Sequence, residues 1–175
     1  MNITDWKNDM NSLLTKLKGI DFGYPLDNNE ILPRSQARVA KNELDLIDCS
    51  NHDELRYFYE NCGGVNLPDI HVGYFIKSLE KLVTINPSSE PTRLIGEFAD
   101  NVLSFGSTGG GGLLVLRKLP CDILHLAPGP LHNGTYDSNR GRATKIANSF
   151  LAFLEILLSD VRAFVENQRN HHYFC

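Results

Sequence analysis

The chain has 175 residues, 42% hydrophobic and 22% charged, the composition of a folded domain and not of a disordered or fibrous chain. Its 17 Lys plus Arg against 21 Asp plus Glu leave a formal charge of -4, and no basic run is long enough to track a phosphate backbone, which argues against nucleic acid as a direct partner. No apolar stretch reaches the roughly 18 residues of a membrane helix, and MNITDWKNDM is charged where a signal peptide would be apolar, so the expectation is a cytoplasmic chain with no membrane attachment.

In chain order, Trp6, Met10, Leu13, Leu14 and Leu17 fall at offsets 0, 4, 7, 8 and 11. That is one face of a helix, with Thr4 as its expected N-cap and Gly19 as its stop. Asp21 to Pro33, with Gly23, Pro25 and Asp27-Asn28-Asn29, reads as a loop. Ser35 opens a second helix carrying Ala37, Ala40, Leu44 and Ile47, and Ser50-Asn51-His52-Asp53 opens a third with Leu55, Phe58, Tyr59 and Cys62 on one face. Gly63 and Gly64 should end that third helix by taking up positive φ. Gly73 to Ile76 and Leu82 to Ile85 read as short strands or as a strand and a turn, followed by a loop over Asn86 to Pro91.

The segment from Arg93 to Leu126 organises the chain. RLIGEF, VLSFGSTGGGGLLVL and DILHL are short apolar runs separated by turn residues, the pattern of adjacent antiparallel strands. Gly109 to Gly112 fits neither known phosphate loop: Gly112-Leu113 stands where a Walker loop needs Lys and Ser or Thr, and a strand follows where a dinucleotide fingerprint needs a helix. The run reads instead as a bulged or kinked hairpin. A small-ligand or nucleotide site at Gly109–Gly112 is the alternative. Ala127 to Arg142, APGPLHNGTYDSNRGR, reads as a 16-residue surface loop. After a brief strand at Lys145 to Ala147, Asn148 caps a last helix with Phe150, Phe153, Leu154, Leu157, Leu158, Val161, Phe164 and Val165 on its apolar stripe. Residues 1–166 form one domain in this reading, and 167–175 a polar tail.

No catalytic signature is present: there is no GxSxG, no HExxH and no cysteine in a nucleophile motif, and His52, His71, His125 and His132 have no local partner pattern. An enzyme is not expected. His171, His172 and Cys175 sit close together but lack a nearby fourth ligand, so neither a metal nor a cofactor is expected. Cysteines 49, 62, 121 and 175 are scattered and read as reduced thiols.

Three of these stretches, in this order, resemble the SUKH superfamily: LRYFYENCGG (Leu55 to Gly64), LIGEFADNVLSFGSTGGGGLLVL (Leu94 to Leu116) and KIANSFLAFLEILL (Lys145 to Leu158). The chain departs from the family's pattern where Ile47-Asp48-Cys49-Ser50 replaces a Leu-Pro before the Phe-Tyr helix, and in the length of the Ala127 to Arg142 loop. The resemblance implies an α+β domain, a mixed or antiparallel sheet of about five to six strands with helices packed around it. It also implies a binding role: an immunity protein that neutralises a bacterial toxin, often a nuclease, or else an intracellular regulatory scaffold. The expected partner is a protein, the expected state a monomer or weak homodimer, and the candidate partner-binding residues are Glu97, Asp100, Asp122 and Asp137, carboxylates in turns or at strand ends that would steer a basic surface.

Overall fold

The structure, a computed structural model, describes residues 2–34, 52–84 and 88–175. The helix expected from Ser35 to Ile47, and the Ser50-Asn51 start of the next, lie outside the described residues. Helix α1 (Ile3–Leu17) begins two residues earlier than expected: Asn2, not Thr4, is the N-cap, its side chain accepting the Asp5 N–H at 2.8 Å. Trp6, Met10 and Leu17 are fully buried, and the Trp6 indole N–H donates to the Leu154 carbonyl at 2.8 Å, which ties α1 to the last helix.

Strand β1 (Glu30–Leu32) lies inside the stretch expected to be loop, and α2 (His52–Asn61) buries Leu55, Phe58 and Tyr59 as its spacing dictates. The glycines after α2 are required for a reason other than a left-handed helix cap. A Cβ on Gly63 would stand 1.9 Å from the Pro33 carbonyl oxygen, because β1 runs directly against the helix exit, and positive φ belongs to Gly64, the first residue of β2 (Gly64–Leu67). Strand β3 (Tyr74–Ile76) follows as expected. Leu82 and Val83 belong to a helix and not to a strand: α3 (Leu79–Val83) is short, with Leu79 and Leu82, three apart, sharing the core side, while Ile85 and the Asn86-Pro87 start of the expected loop lie outside the described residues. The β-branched residues Val83 and Thr84 concealed that spacing.

The remaining strands are β4 (Arg93–Ile95), β5 (Asp100–Thr108), β6 (Leu113–Arg117), β7 (Ile123–Leu126), β8 (Leu131–His132), β9 (Thr135–Asp137) and β10 (Ala143–Ala147). They complete a sheet of 10 strands, more than the five to six expected, in one α+β domain. Pairing is antiparallel except for β4 with β9. Strand β5 is the branch point: its end at Gly106–Thr108 pairs with β3, its start at Asp100–Asn101 pairs with β4, and its other edge pairs with β6. A bulge between Ser104 and Gly106 lets one strand serve both partners.

Two apolar cores follow. Phe105, Leu114, Leu116 and Ile123 meet α1, α2 and the last helix, α4 (Phe150–Val165), on one face, with Phe105 edge-on to Phe150 and Phe153 at 5.4 Å. Val115, Leu124 and Leu126 meet Leu94, Val102 and Tyr136 on the other. The unbroken run LLVL is therefore apolar because both of its faces are covered. The region from Ala127 to Arg142 is not an irregular loop, since β8 and β9 lie within it. Buried Tyr136 donates to the Ala127 carbonyl at 2.9 Å, and Gly141 leaves the space its phenol occupies. Helix α4 is capped by Ser149, not Asn148, with the Ser149 side chain accepting the Ala152 N–H at 3.2 Å.

Candidate functional site

The four carboxylates chosen from the sequence come from separate turns, and the fold links those turns at one end of the molecule. Parallel pairing sets Ile95 beside Asp137, and the turn that follows β4, with Gly96 at φ +92, is fastened to the turn that follows β9. There the Glu97 N–H donates to Asn139 Oδ1 at 3.0 Å, and the Phe98 N–H donates to Ser138 Oγ at 3.2 Å. Asp137 serves this turn: its Oδ1 accepts the Asn139 N–H at 3.0 Å, and its Oδ2 lies 3.4 Å from Arg140 Nε. Asp100 fastens a third turn, accepting the Leu119 N–H at 2.6 Å.

Asp122 has a different place from the other three. It is 1% exposed, with both oxygens held by the Arg117 fork at 2.6 and 2.7 Å and Oδ2 also 3.2 Å from Lys145 Nζ. Burial by itself raises the carboxyl pKa. The Arg117 and Lys145 hydrogen bonds and charges outweigh that, and the group is held below the usual carboxylate range. Arg117 also lies over the Phe98 ring at 5.3 Å, so the pair braces the Glu97–Asp100 turn from beneath. Asp122 is thus a buried strut, and cannot meet a partner directly without leaving Arg117. Glu97 is the exposed carboxylate of the set.

Sequence reasoning missed the apolar members of this face. Leu119 is 68% exposed and Ile95 39%, and a cleft of about 260 Å³ beside Ile95 is lined by Pro130, His132, Thr135, Asp137 and Arg140. Leu119-Pro120 in a turn between two strands was the available signal, because an apolar residue there has no core to enter.

The glycine run has structural reasons of its own. A Cβ on Gly109 would stand 2.1 Å from the Val72 carbonyl oxygen and one on Gly112 2.1 Å from His125 Nε2, while Gly111 has φ +80. Gly110 has open space around it. His125 Nε2 is buried without a hydrogen-bond partner, and burial pushes the imidazole pKa down, so the ring packs as a neutral group. Among the described residues there is no group of three or more side chains arranged to hold a metal ion, and no helix is long and apolar enough to cross a membrane. The fold defines an α+β domain. Comparison with protein-family models, curated proteins and solved structures finds no match to the chain.

Proposed function

We propose that this chain is a binding protein of the immunity type, acting in the cytoplasm as a stoichiometric, non-catalytic inhibitor of a bacterial toxin. The carrying observation is Leu119. A leucine 68% exposed, on a turn fastened to Asp100 and braced by the Arg117–Asp122 pair, is an apolar anchor held in place before any partner arrives. Glu97 and Asp137 lie on the adjoining linked turns, where they favour encounter with a basic surface such as that of a nuclease. The ordered resemblance of Leu55–Gly64, Leu94–Leu116 and Lys145–Leu158 to SUKH domains supports the same reading. Under it, Leu119 supplies residence time and the carboxylates supply association rate.

Charge reversal at both Glu97 and Asp137 should slow association and flatten its salt dependence, while Leu119→Asp should mainly speed dissociation. Unchanged kinetics in both variants, with the fold intact by circular dichroism, would remove this face from the proposal.

A further inference from the structure

The inner stripe of α4 is apolar at Phe153 and Leu157 and then carries Asp160, which is only 1% exposed. A buried carboxylate needs partners, and those of Asp160 come from other elements. The Tyr74 hydroxyl of β3 donates to Oδ2 at 2.9 Å, His171 Nε2 lies 2.6 Å from Oδ1, and the Phe174 N–H donates to Oδ2 at 3.4 Å. Two of the three belong to the segment that folds back after α4, beginning where the Gln168 N–H donates to the Ala163 carbonyl. The same segment is seated by rings: Tyr173 lies flat on His71 at 4.0 Å, and Phe174 packs on Tyr74 at 4.9 Å and on Phe153 at 5.8 Å. Apart from the Gln168 and Phe174 N–H groups, side chains hold it against the body.

A permanently covered position of this kind would be served best by a leucine, which needs no partners. A carboxylate suits a surface that is wetted part of the time, because when the segment lifts Asp160 is solvated and no large apolar residue is left in water at that position. We propose that residues 168–175 form a strap that opens and closes over Asp160, Tyr74 and Phe153, and that protonation of His171 favours the closed form. Opening uncovers an aromatic face with one carboxylate at its centre.

The other titratable and charged groups at the strap are Tyr74 of β3, His71 of the β2–β3 turn, Asp21 across the adjoining cleft, and Arg169, His172, Tyr173 and Cys175 of the strap itself. Burial first, then the Asp160 charge, pushes the Tyr74 phenol far above its ordinary value. The Tyr173 phenol is raised by the same two causes and the Cys175 thiol chiefly by burial, so all three stay neutral. Of the other histidines here, His71 stacks on Tyr173 and His172 is exposed. His171 faces the carboxylate, and its charged form makes the stronger bond; its neutral form makes an ordinary one. The strap is therefore tightest in mild acid and loosens as pH rises.

The test is amide hydrogen exchange on the intact chain at about pH 5.5 and about pH 8, either side of the ordinary histidine range and corrected for intrinsic rates. Protection at Phe174 should be about fivefold higher at the lower pH, the ratio separating a charge-assisted from a neutral hydrogen bond. His171→Gln, which keeps a donor and loses the charge, should abolish that difference, His71→Gln should retain it, and α1 amides should serve as an unchanged reference. Equal protection of wild type at both pH values, or a pH difference surviving in His171→Gln, would overturn the strap.

Discussion

Replacing Asp122 by Asn tests the strut beneath the proposed docking face. The change preserves shape but leaves Arg117, whose side chain is 14% exposed, facing an amide that cannot accept its fork with both oxygens. Removing one partner of a buried pair costs about 3–5 kcal/mol when the other stays buried. Lys145 is 43% exposed and can turn to water, and Arg117 keeps its contact with Phe98 at 5.3 Å, so the lower end, about 3 kcal/mol, applies. With a urea m-value of about 2 kcal/mol per molar, the midpoint should fall by about 1.5 M. Urea is the denaturant to use, because guanidinium screens the pair under study. Since the strut braces the turns that carry Phe98 and Leu119, partner binding should weaken alongside stability. An Asp122→Leu, Arg117→Met double variant should recover much of the loss, because it leaves no unpaired charge. A loss below about 1 kcal/mol in Asp122→Asn, or a double variant worse than the sum of its singles, would refute the reasoning.

Further expectations concern the glycine run, acid stability and the indole. Gly112→Ala should destabilise by about 1–3 kcal/mol by pushing His125 from its seat, whereas Gly110→Ala should be near neutral; paired thermal melts check the contrast. Stability should decline as pH falls below about 6.5, because the unfolded chain takes up a proton there that buried His125 refuses. His125→Gln should flatten that limb of a urea-midpoint profile, while a steeper loss setting in below about pH 4 belongs to Asp122, whose depressed pKa contributes its full stability above the unfolded value and loses it as pH falls through the folded one. Trp6→Phe should cost roughly 1–2 kcal/mol through the lost bond to the Leu154 carbonyl and the smaller ring, readable in an equilibrium unfolding curve followed by far-UV circular dichroism.

Periodicity carried the long elements. Trp6 to Leu17 and Phe150 to Val165 repeat their apolar residues often enough that only the caps shift, each by a residue or two, because Asn2 and Ser149 compete with equally plausible neighbours Thr4 and Asn148. The central hairpins were legible from turn residues between apolar runs. Strands β1, β8 and β9 were not, since two or three residues cannot show alternation and Gly, Pro and Asn around them signal loop. Those glycines admit Tyr136, a long-range demand that leaves no local trace. The site was legible in part: turn carboxylates can be chosen by composition, but the burial of Asp122 depends on Arg117 and Lys145, which meet it only through the β5–β6–β7–β10 pairing. Leu119 looked like an ordinary turn residue until its exposure could be measured.

The central claim is that the face around Leu119 binds a toxic protein. The direct measurement is growth of cells co-expressing this chain, as wild type or as Leu119→Asp, with a protein that co-purifies with it stoichiometrically from the cells it comes from. The account predicts a partner that arrests growth alone, is harmless beside wild type, and regains toxicity beside a folded Leu119→Asp. A partner that is harmless by itself, or one neutralised equally by both forms, would contradict it.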